Sequence, residues 1–380
     1  MDFTHDDEQQ ALREAVRGLV GKRYADFENR RRTVADEPGF DEDLWQALGE
    51  MGILGLPYDE ADGGSGAGPA EVGIVAQELG RVLAPEPFLP SVVLAGGLVA
   101  MTASDEQRAD VIGALSSGER VLAFAHTEPG SRWSTTAGAV TATQSGDGWM
   151  LSGVKEPVLH GARADQLVVS AALPDGGTGL FLVAGDASGL TRNGYATHDG
   201  GRAARVSFED TPATSLGEPT DRSAEIALVL DGTRIIAGNQ AVGAMEVALE
   251  ATTDYLKSRK QFGVTLNTFQ ALNFRAADMY VSLELTTSIV AWATMVLAEG
   301  SPDEVADAAA RASLQVSRGG RHVGQEAIQL HGGIGMTAEY AIGSYTSHLT
   351  ALDHMFGDGN HHVGVLAGKV ATYDEVDPLA

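Results

Sequence analysis

Residues 301–330, SPDEVADAAARASLQVSRGGRHVGQEAIQL, contain the clearest helix start in the chain. Ser301 is a good N-cap, Pro302 suits the first helical position, and Glu304 completes a capping box. The helical periodicity that follows predicts one long helix, with a break expected at Gly319–Gly320.

Two further long helices are predicted before this one, over residues 236–256 and 269–299. Long helices joined by short connections are typical of an up-and-down bundle. We therefore assign residues 219–380 to a C-terminal helical bundle.

The middle of the chain, residues 118–218, has a different pattern. Short β-rich runs such as VLAFAH (121–126) and LVVSAAL (167–173) alternate with turn clusters, among them residues 145–148. No helical pattern separates them, which predicts an antiparallel barrel or sandwich. Residues 1–117 are mainly helical by periodicity. The predicted fold class is α+β, mainly α, in the order helices, β domain, helical bundle.

The composition excludes several functional classes. The 380 residues include 26 Lys+Arg and 52 Asp+Glu, a formal net charge of −26, which argues against nucleic acid and anionic membranes as partners. The chain has no cysteine, so it has no disulfide or thiolate site. Its N-terminus does not resemble a signal peptide, and the apolar stretch 284–299 is shorter than the ~18 residues of a membrane span. We expect a cytoplasmic protein.

Three glycine-containing segments are candidate ligand sites: residues 127–130 after a strand, 329–335 at a helix end, and 356–360 before the last helix. Glycine lets backbone N–H groups approach a phosphate or a planar ring. Taken alone, each segment is better explained as a turn or a helix stop. The residues alone leave both interpretations open.

Two clusters of polar residues also have two interpretations. Arg259 and Phe262 place a cation and an aromatic ring at a helix end, which suits a phosphate or a solvated helix terminus. His354, His361 and His362 lie close in sequence, but their spacing matches no zinc pattern, so we predict no metal site.

The motifs taken together, in this order, resemble the acyl-CoA dehydrogenase family over essentially the whole chain. They are TEPG at 127–130, SGVK at 152–155, RKQFG at 259–263, FQ at 269–270 with ADM at 277–279, and QLHGGIGMT at 329–337. The resemblance implies a helical domain, a β domain and a four-helix bundle in a dimer of dimers. It implies FAD held between the β domain of one subunit and the bundle of another.

The resemblance also implies a reaction. A carboxylate removes the α-proton of an acyl-CoA thioester while the β-hydride passes to the flavin, and an electron-transfer flavoprotein accepts the electrons. Phe124 and Thr127 would line the flavin, and Asp231 and Arg234 match the D-x-x-R beside the acyl-CoA pocket. The pyrophosphate and adenosine of a neighbouring subunit's FAD would be held by Arg259, Phe262, Gln270, Gln329, Gly332 and Gly333.

The chain departs from the family pattern at the positions that carry the chemistry. The catalytic glutamate is absent from both places where members carry it, which here hold Phe356 and Thr233. Pro157 stands where many members have a flavin-stacking tryptophan, and Leu159 where a threonine donates. After TEPG the chain has Ser131–Trp133, SRW, instead of A-G-S.

A phenylalanine cannot take a proton, so the base must come from elsewhere. We expect dehydrogenation of a bulky or steroid-derived acyl-CoA by an α2β2 heterotetramer, in which a paralogous subunit carries the base. One alternative is a homotetramer that uses Asp358 or Asp231 as a displaced base. The others are a catalytically silent binding or scaffold protein of the same fold, and a lyase or hydratase.

Overall fold

The N-terminal part of the chain is helical. The computed structural model describes residues 5–146 and 148–372; Asp147, in a predicted turn, lies outside them. A π-helical segment, Phe88–Gly96, precedes α5, and a 3₁₀ turn covers Glu60–Asp62. The α-helices are α1 Asp7–Tyr24, α2 Phe27–Ala35, α3 Glu42–Glu50, α4 Pro69–Arg81, α5 Gly97–Thr102 and α6 Asp105–Ser116.

The middle part is a β barrel. Its strands are β1 Leu122–Ala125, β2 Thr141–Ser145, β3 Gly148–Leu159, β4 Gln166–Ala172, β5 Thr178–Ala184, β6 Leu190–Ala196 and β7 Arg202–Ser215. Strands β4, β2, β3, β7 and β5 form a closed ring, with β1 beside β4 and β6 beside β7. Val169, Phe181 and Val206 are among the fully buried residues of its core.

The predicted antiparallel pairing holds throughout the barrel except at two pairings of β4. Both β1 and the first residue of β2 run parallel to β4, whereas the other pairs of the barrel are antiparallel. The long connection 126–140 separates β1 from β2, so β1 does not form a hairpin with its neighbour in sequence and is free to lie parallel to β4.

The C-terminal part is the expected bundle, followed by one more short helix. Its helices are α7 Ser223–Ser258, α8 Gln270–Glu299, α9 Pro302–His331, α10 Ile342–Met355 and α11 Gly359–Lys369. A hairpin, β8 Lys260–Gln261 and β9 Val264–Thr265, connects α7 to α8. Short 3₁₀ turns cover Leu266–Thr268, Gly332–Met336 and Val370–Thr372.

Helix α9 begins where the sequence predicted, but the predicted break is wrong. Ser301 and Glu304 form the capping box, with Pro302 at the first position. The helix runs unbroken through Gly319–Gly320. A Cβ on Gly319 would lie 2.2 Å from Thr286 Oγ1 of α8, so this glycine allows two helices to pack closely.

Helix α8 is more apolar than expected from the sequence. Among the described residues it is the one helix long and apolar enough to pass a membrane-span criterion, which contradicts the expectation that no stretch reaches it. It packs against α7 and α9 on one side. On the other side Phe274, Val281 and Leu285 are more than half exposed. Their spacing puts them on one face of the helix, and such a face marks an interaction surface.

A buried ion pair joins two of the sequence motifs inside the barrel. Lys155 Nζ, fully buried, donates to Glu128 Oε1 at 2.9 Å, to the His126 carbonyl at 2.9 Å and to Ser170 Oγ at 3.1 Å. The Glu128 carboxylate also accepts the backbone N–H groups of residues 138–140. Burial opposes ionisation, but Lys155 and these N–H groups outweigh it and lower the pKa of Glu128 to about 2. Glu128 of TEPG and Lys155 of SGVK therefore form a buried ion pair that holds the barrel together at this point.

We predict that Glu128→Gln lowers the free energy of unfolding by about 3–5 kcal/mol, because it leaves the Lys155 ammonium buried without a counter-charge. Urea denaturation measures the loss. Adding Lys155→Met is expected to recover part of it. The control is Glu156→Gln, which breaks the exposed pair with Arg205 and is expected to cost no more than ~1 kcal/mol. Equal losses in the two single variants would contradict the prediction.

Candidate functional site

A narrow crevice lies between the β barrel and the helical bundle, with a volume of about 110 Å³. Its lining comprises residues of the barrel and of the bundle, with a few from the N-terminal helices and from the loop after TEPG: Pro90, Leu94, Phe124, His126, Thr127, Arg132, Trp133, Ser134, Pro157, Leu159, Leu230, Arg234, His354, Met355 and Phe356. The structure thus brings the predicted flavin-lining residues together with Phe356. Ligand pockets usually measure about 300–1,000 Å³, so the crevice does not fit an isoalloxazine ring.

Phe356 follows the end of α10 and has a buried ring. Its carbonyl accepts a hydrogen bond from Arg234 Nε at 2.8 Å, and Arg234 Nη1 donates to Asp231 Oδ1 at 2.6 Å. Burial raises the pKa of Asp231, and the Arg234 charge offsets only part of that effect. The D-x-x-R pair therefore holds the turn at Phe356 in place.

Neither the candidate base Asp358 nor the family position at Thr233 places a carboxylate in the crevice. No carboxylate among the described residues lines the crevice. Asp358 is the N-cap of α11, where its Oδ1 accepts the His361 N–H at 2.8 Å. Thr233 is fully buried and donates to the Val229 carbonyl at 2.7 Å. It borders a separate apolar cavity of about 510 Å³ rather than the crevice.

His126, which the sequence analysis did not single out, lies in the barrel wall of the crevice. Its ring stacks on Phe124 with centroids 4.9 Å apart. Nδ1 lies 2.8 Å from Ser170 Oγ and Nε2 lies 2.7 Å from the Ser134 carbonyl. Burial, aided by the nearby Lys155 charge, lowers the pKa of His126 to about 4, so the ring is neutral near pH 7. Only its position between Phe124 and Thr127 signals a role in the sequence.

The loop after TEPG reaches across to the bundle. Trp133 Nε1 donates to the His354 carbonyl at 3.4 Å, and the indole lies 5.0 Å from the His361 ring. The Arg132 guanidinium lies over the indole at 5.6 Å. The loop therefore narrows the crevice from one side.

The predicted adenosine-side residues lie together at another place, an exposed end of the bundle. There the last turns of α7 and α9 meet, with the Tyr255 and His331 rings stacked 4.5 Å apart. Phe262 is 92% exposed. We call the exposed residues at this end the bundle edge: Arg259, Phe262, Gln270, Gln329, Gly332 and Gly333.

The bundle edge fits a pyrophosphate better than the crevice fits a flavin ring. An exposed arginine and backbone N–H groups at glycines are groups that bind phosphate. Gly332 has a φ of +67°, a conformation that favours glycine at this turn. None of the edge residues lines the crevice. The two predicted halves of the FAD site therefore lie apart within one chain.

The clustered histidines make hydrogen bonds to backbone atoms. His354 Nδ1 pairs with the Thr350 carbonyl, and His362 Nε2 lies 3.1 Å from the Gly357 carbonyl. Across residues 5–146 and 148–372 no three histidine, aspartate or glutamate side chains gather as a metal site.

Comparison with known proteins agrees with this architecture. The N-terminal domain of acyl-CoA dehydrogenases matches residues 6–119, and the C-terminal domain matches residues 226–370. Acyl-CoA dehydrogenase FadE27 of Mycobacterium tuberculosis is 31% identical over 354 residues, which cover 91% of this chain and 92% of that protein.

Two solved structures share the whole fold. A Tcur3481–Tcur3483 steroid ACAD is 32% identical with a TM-score of 0.87, over 96% of this chain and 98% of the other. The ChsE4–ChsE5 complex from Mycobacterium tuberculosis is 27% identical with a TM-score of 0.88, over 99% and 100%. On these matches and on its fold, the chain belongs to the acyl-CoA dehydrogenase family.

Proposed function

We propose that this chain is the subunit without a catalytic base in a cytoplasmic, FAD-dependent α2β2 acyl-CoA dehydrogenase. A paralogous subunit supplies the carboxylate and the wall that faces the flavin ring. This chain supplies the bundle edge for the pyrophosphate and adenosine. The substrate is the CoA thioester of a bulky or steroid-derived acid, and an electron-transfer flavoprotein accepts the electrons.

The observation that carries the proposal is the aromatic ring of Phe356 at the turn where members with a late base place their glutamate. A general base must lie within hydrogen-bond reach of the proton it removes. Among the described residues, no carboxylate lines this crevice. Asp231 is paired with Arg234, and Asp358 caps α11. These contacts argue against either aspartate as a displaced base.

The division of the FAD site supports a second subunit. The bundle edge offers phosphate-binding groups at the surface, whereas the chain's own crevice is too small for the flavin ring. In the proposed assembly Arg259 and the glycine N–H groups hold the pyrophosphate of a cofactor seated on the partner. When bound, the flavin accepts the hydride. The partner's carboxylate takes the α-proton.

The apolar face of α8 supports the same assembly. Phe274, Val281 and Leu285 are exposed on this helix, close in sequence to Phe262. A second bundle packed on this face would remove these side chains from water and would bring the bundle edge against another chain. Two of the similar structures are named for pairs of proteins, and one of those is named a steroid enzyme.

The closed crevice also favours a second candidate, a silent scaffold protein of the same fold. Such a protein would bind a partner or an apolar ligand without turnover, and the separate cavity of about 510 Å³ would be available to it. Flavin content distinguishes the two candidates.

We predict that the lone chain binds little FAD and has no dehydrogenase activity, whereas co-expression with its paralogous subunit gives a flavin-containing, active pair. Visible absorbance and turnover of acyl-CoA thioesters measure both. Replacing the partner's glutamate with glutamine is expected to lower kcat by about 10²–10⁴-fold, because the base is lost.

The matched control is Asp358→Asn in this chain, since asparagine caps a helix as well as aspartate. We expect kcat to stay unchanged in that variant. A fall equal to that of the partner variant would identify Asp358 as the base. Flavin in neither preparation would support the scaffold.

We also predict that Arg259→Gln weakens FAD binding by the pair about tenfold to a hundredfold, the equivalent of losing a charged hydrogen bond of about 1.5–3 kcal/mol. Flavin fluorescence titration of the deflavinated pair measures Kd. Lys260→Gln removes the same charge from the next residue and is expected to leave Kd unchanged. Equal effects would mean that only net charge matters.

A further inference from the structure

We infer that Trp133 acts as a plug that closes this chain's own flavin crevice, held in place by His126. We call residues 131–134 the latch loop. The inference rests on the proposed function, because it explains why a chain that keeps the bundle edge seats no flavin ring on its own barrel.

The latch loop is larger than the family pattern at the same place. Where members have A-G-S after TEPG, this chain has Ser131, Arg132 and Trp133. Both the arginine and the tryptophan line the crevice. An indole in place of a serine side chain adds volume directly to the crevice wall, which leaves the remaining space of about 110 Å³.

A directed chain of hydrogen bonds fixes the latch loop from the barrel side. Lys155 Nζ only donates, so Ser170 Oγ accepts from it at 3.1 Å. Ser170 Oγ then donates its single hydroxyl hydrogen in a hydrogen bond to His126 Nδ1 at 2.8 Å. The Ser134 carbonyl only accepts, so His126 carries its proton on Nε2 and donates it at 2.7 Å. The loop is thereby tied to the buried Lys155–Glu128 pair.

Contacts within the loop and with the bundle hold the indole itself. Ser131 Oγ accepts the Glu128 N–H at 3.0 Å, which fixes the start of the loop. Arg132 has a φ of +49°, a left-handed conformation that is strained for arginine, and its guanidinium covers the indole. His354 and His361 meet the indole from the bundle. Trp133 thus bridges the two walls of the crevice.

The experiment restores the family's flavin wall in the α2β2 pair with and without the plug. The wild-type pair is expected to contain one FAD per heterodimer. Pro157→Trp with Leu159→Thr restores the barrel wall but keeps Trp133, and its flavin content is expected to stay at one. The partner is chosen to carry its own RKQFG and QLHGG segments for a second pyrophosphate, and adding Arg132→Gly and Trp133→Ser is then expected to raise the flavin content to two. A control that adds Trp133→Phe instead keeps a ring in the crevice and is expected to stay at one.

Flavin absorbance per heterodimer is the readout, for variants that elute as tetramers with unchanged circular dichroism. Two flavins in the variant that keeps Trp133 would overturn the plug, and so would a single flavin in the variant that lacks it. Two flavins in the wild-type pair would instead overturn the proposed function. The two failures are therefore distinguishable.

A second measurement tests the tether without flavin. His126→Phe keeps a ring beside Phe124 but removes both hydrogen bonds. The Trp133 emission, obtained by subtracting the spectrum of the matching Trp133→Phe variant, is expected to shift to longer wavelength as the indole gains solvent. An unchanged Trp133 emission would overturn the role of His126.

Discussion

The buried ammonium of Lys155 is the constraint on which the mouth of the barrel depends. An ammonium removed from water is stable only when hydrogen bonds and a counter-charge surround it. Glu128 and the His126 carbonyl, from one segment, and Ser170, from β4, meet that demand. Satisfying one charge therefore fixes where the TEPG turn, the SGVK strand and β4 meet. Through His126 it also fixes the loop that carries Trp133.

The sequence predicted those elements whose signals are local. The start of α9 depends on Ser301, Pro302 and Glu304, which are adjacent, so the capping box was visible before the structure. The break expected at Gly319–Gly320 was wrong because Thr286, far away in sequence, explains the first glycine. The parallel position of β1 was likewise hidden, since strand order depends on long-range pairing.

In the candidate site, too, the sequence predicted some features and missed those that depend on long-range contacts. Motif order was enough to group Arg259 with Gln329 and Phe124 with Thr127, and the structure brings the members of each group to the same region. The motifs said nothing of the interactions that Asp231 and Asp358 make, because a salt bridge and a helix cap depend on three-dimensional contacts. His126 was missed for a related reason. Its role follows from which ring nitrogen carries the proton, and only Ser170 and Ser134 determine that.

In the proposed function the missing base and the narrow crevice are physically connected. A half-site that no longer holds a flavin ring would leave a cavity, and each Å³ of cavity costs about 24 cal/mol. Apolar and aromatic side chains reduce that cost, and here Trp133, Pro157, Leu159 and Phe356 all line the remaining space. A charged glutamate buried in this crevice would be unfavourable unless a substrate, a partner or a counter-charge compensated it. In the proposed function the departures from the family pattern are therefore coupled: a chain that holds no flavin ring on its own barrel gains stability by having an aromatic ring in place of the acid. In the proposed function the bundle edge is outside this coupling, so it is free to keep the family residues, whereas Pro157, Leu159 and Phe356 of the crevice depart from them.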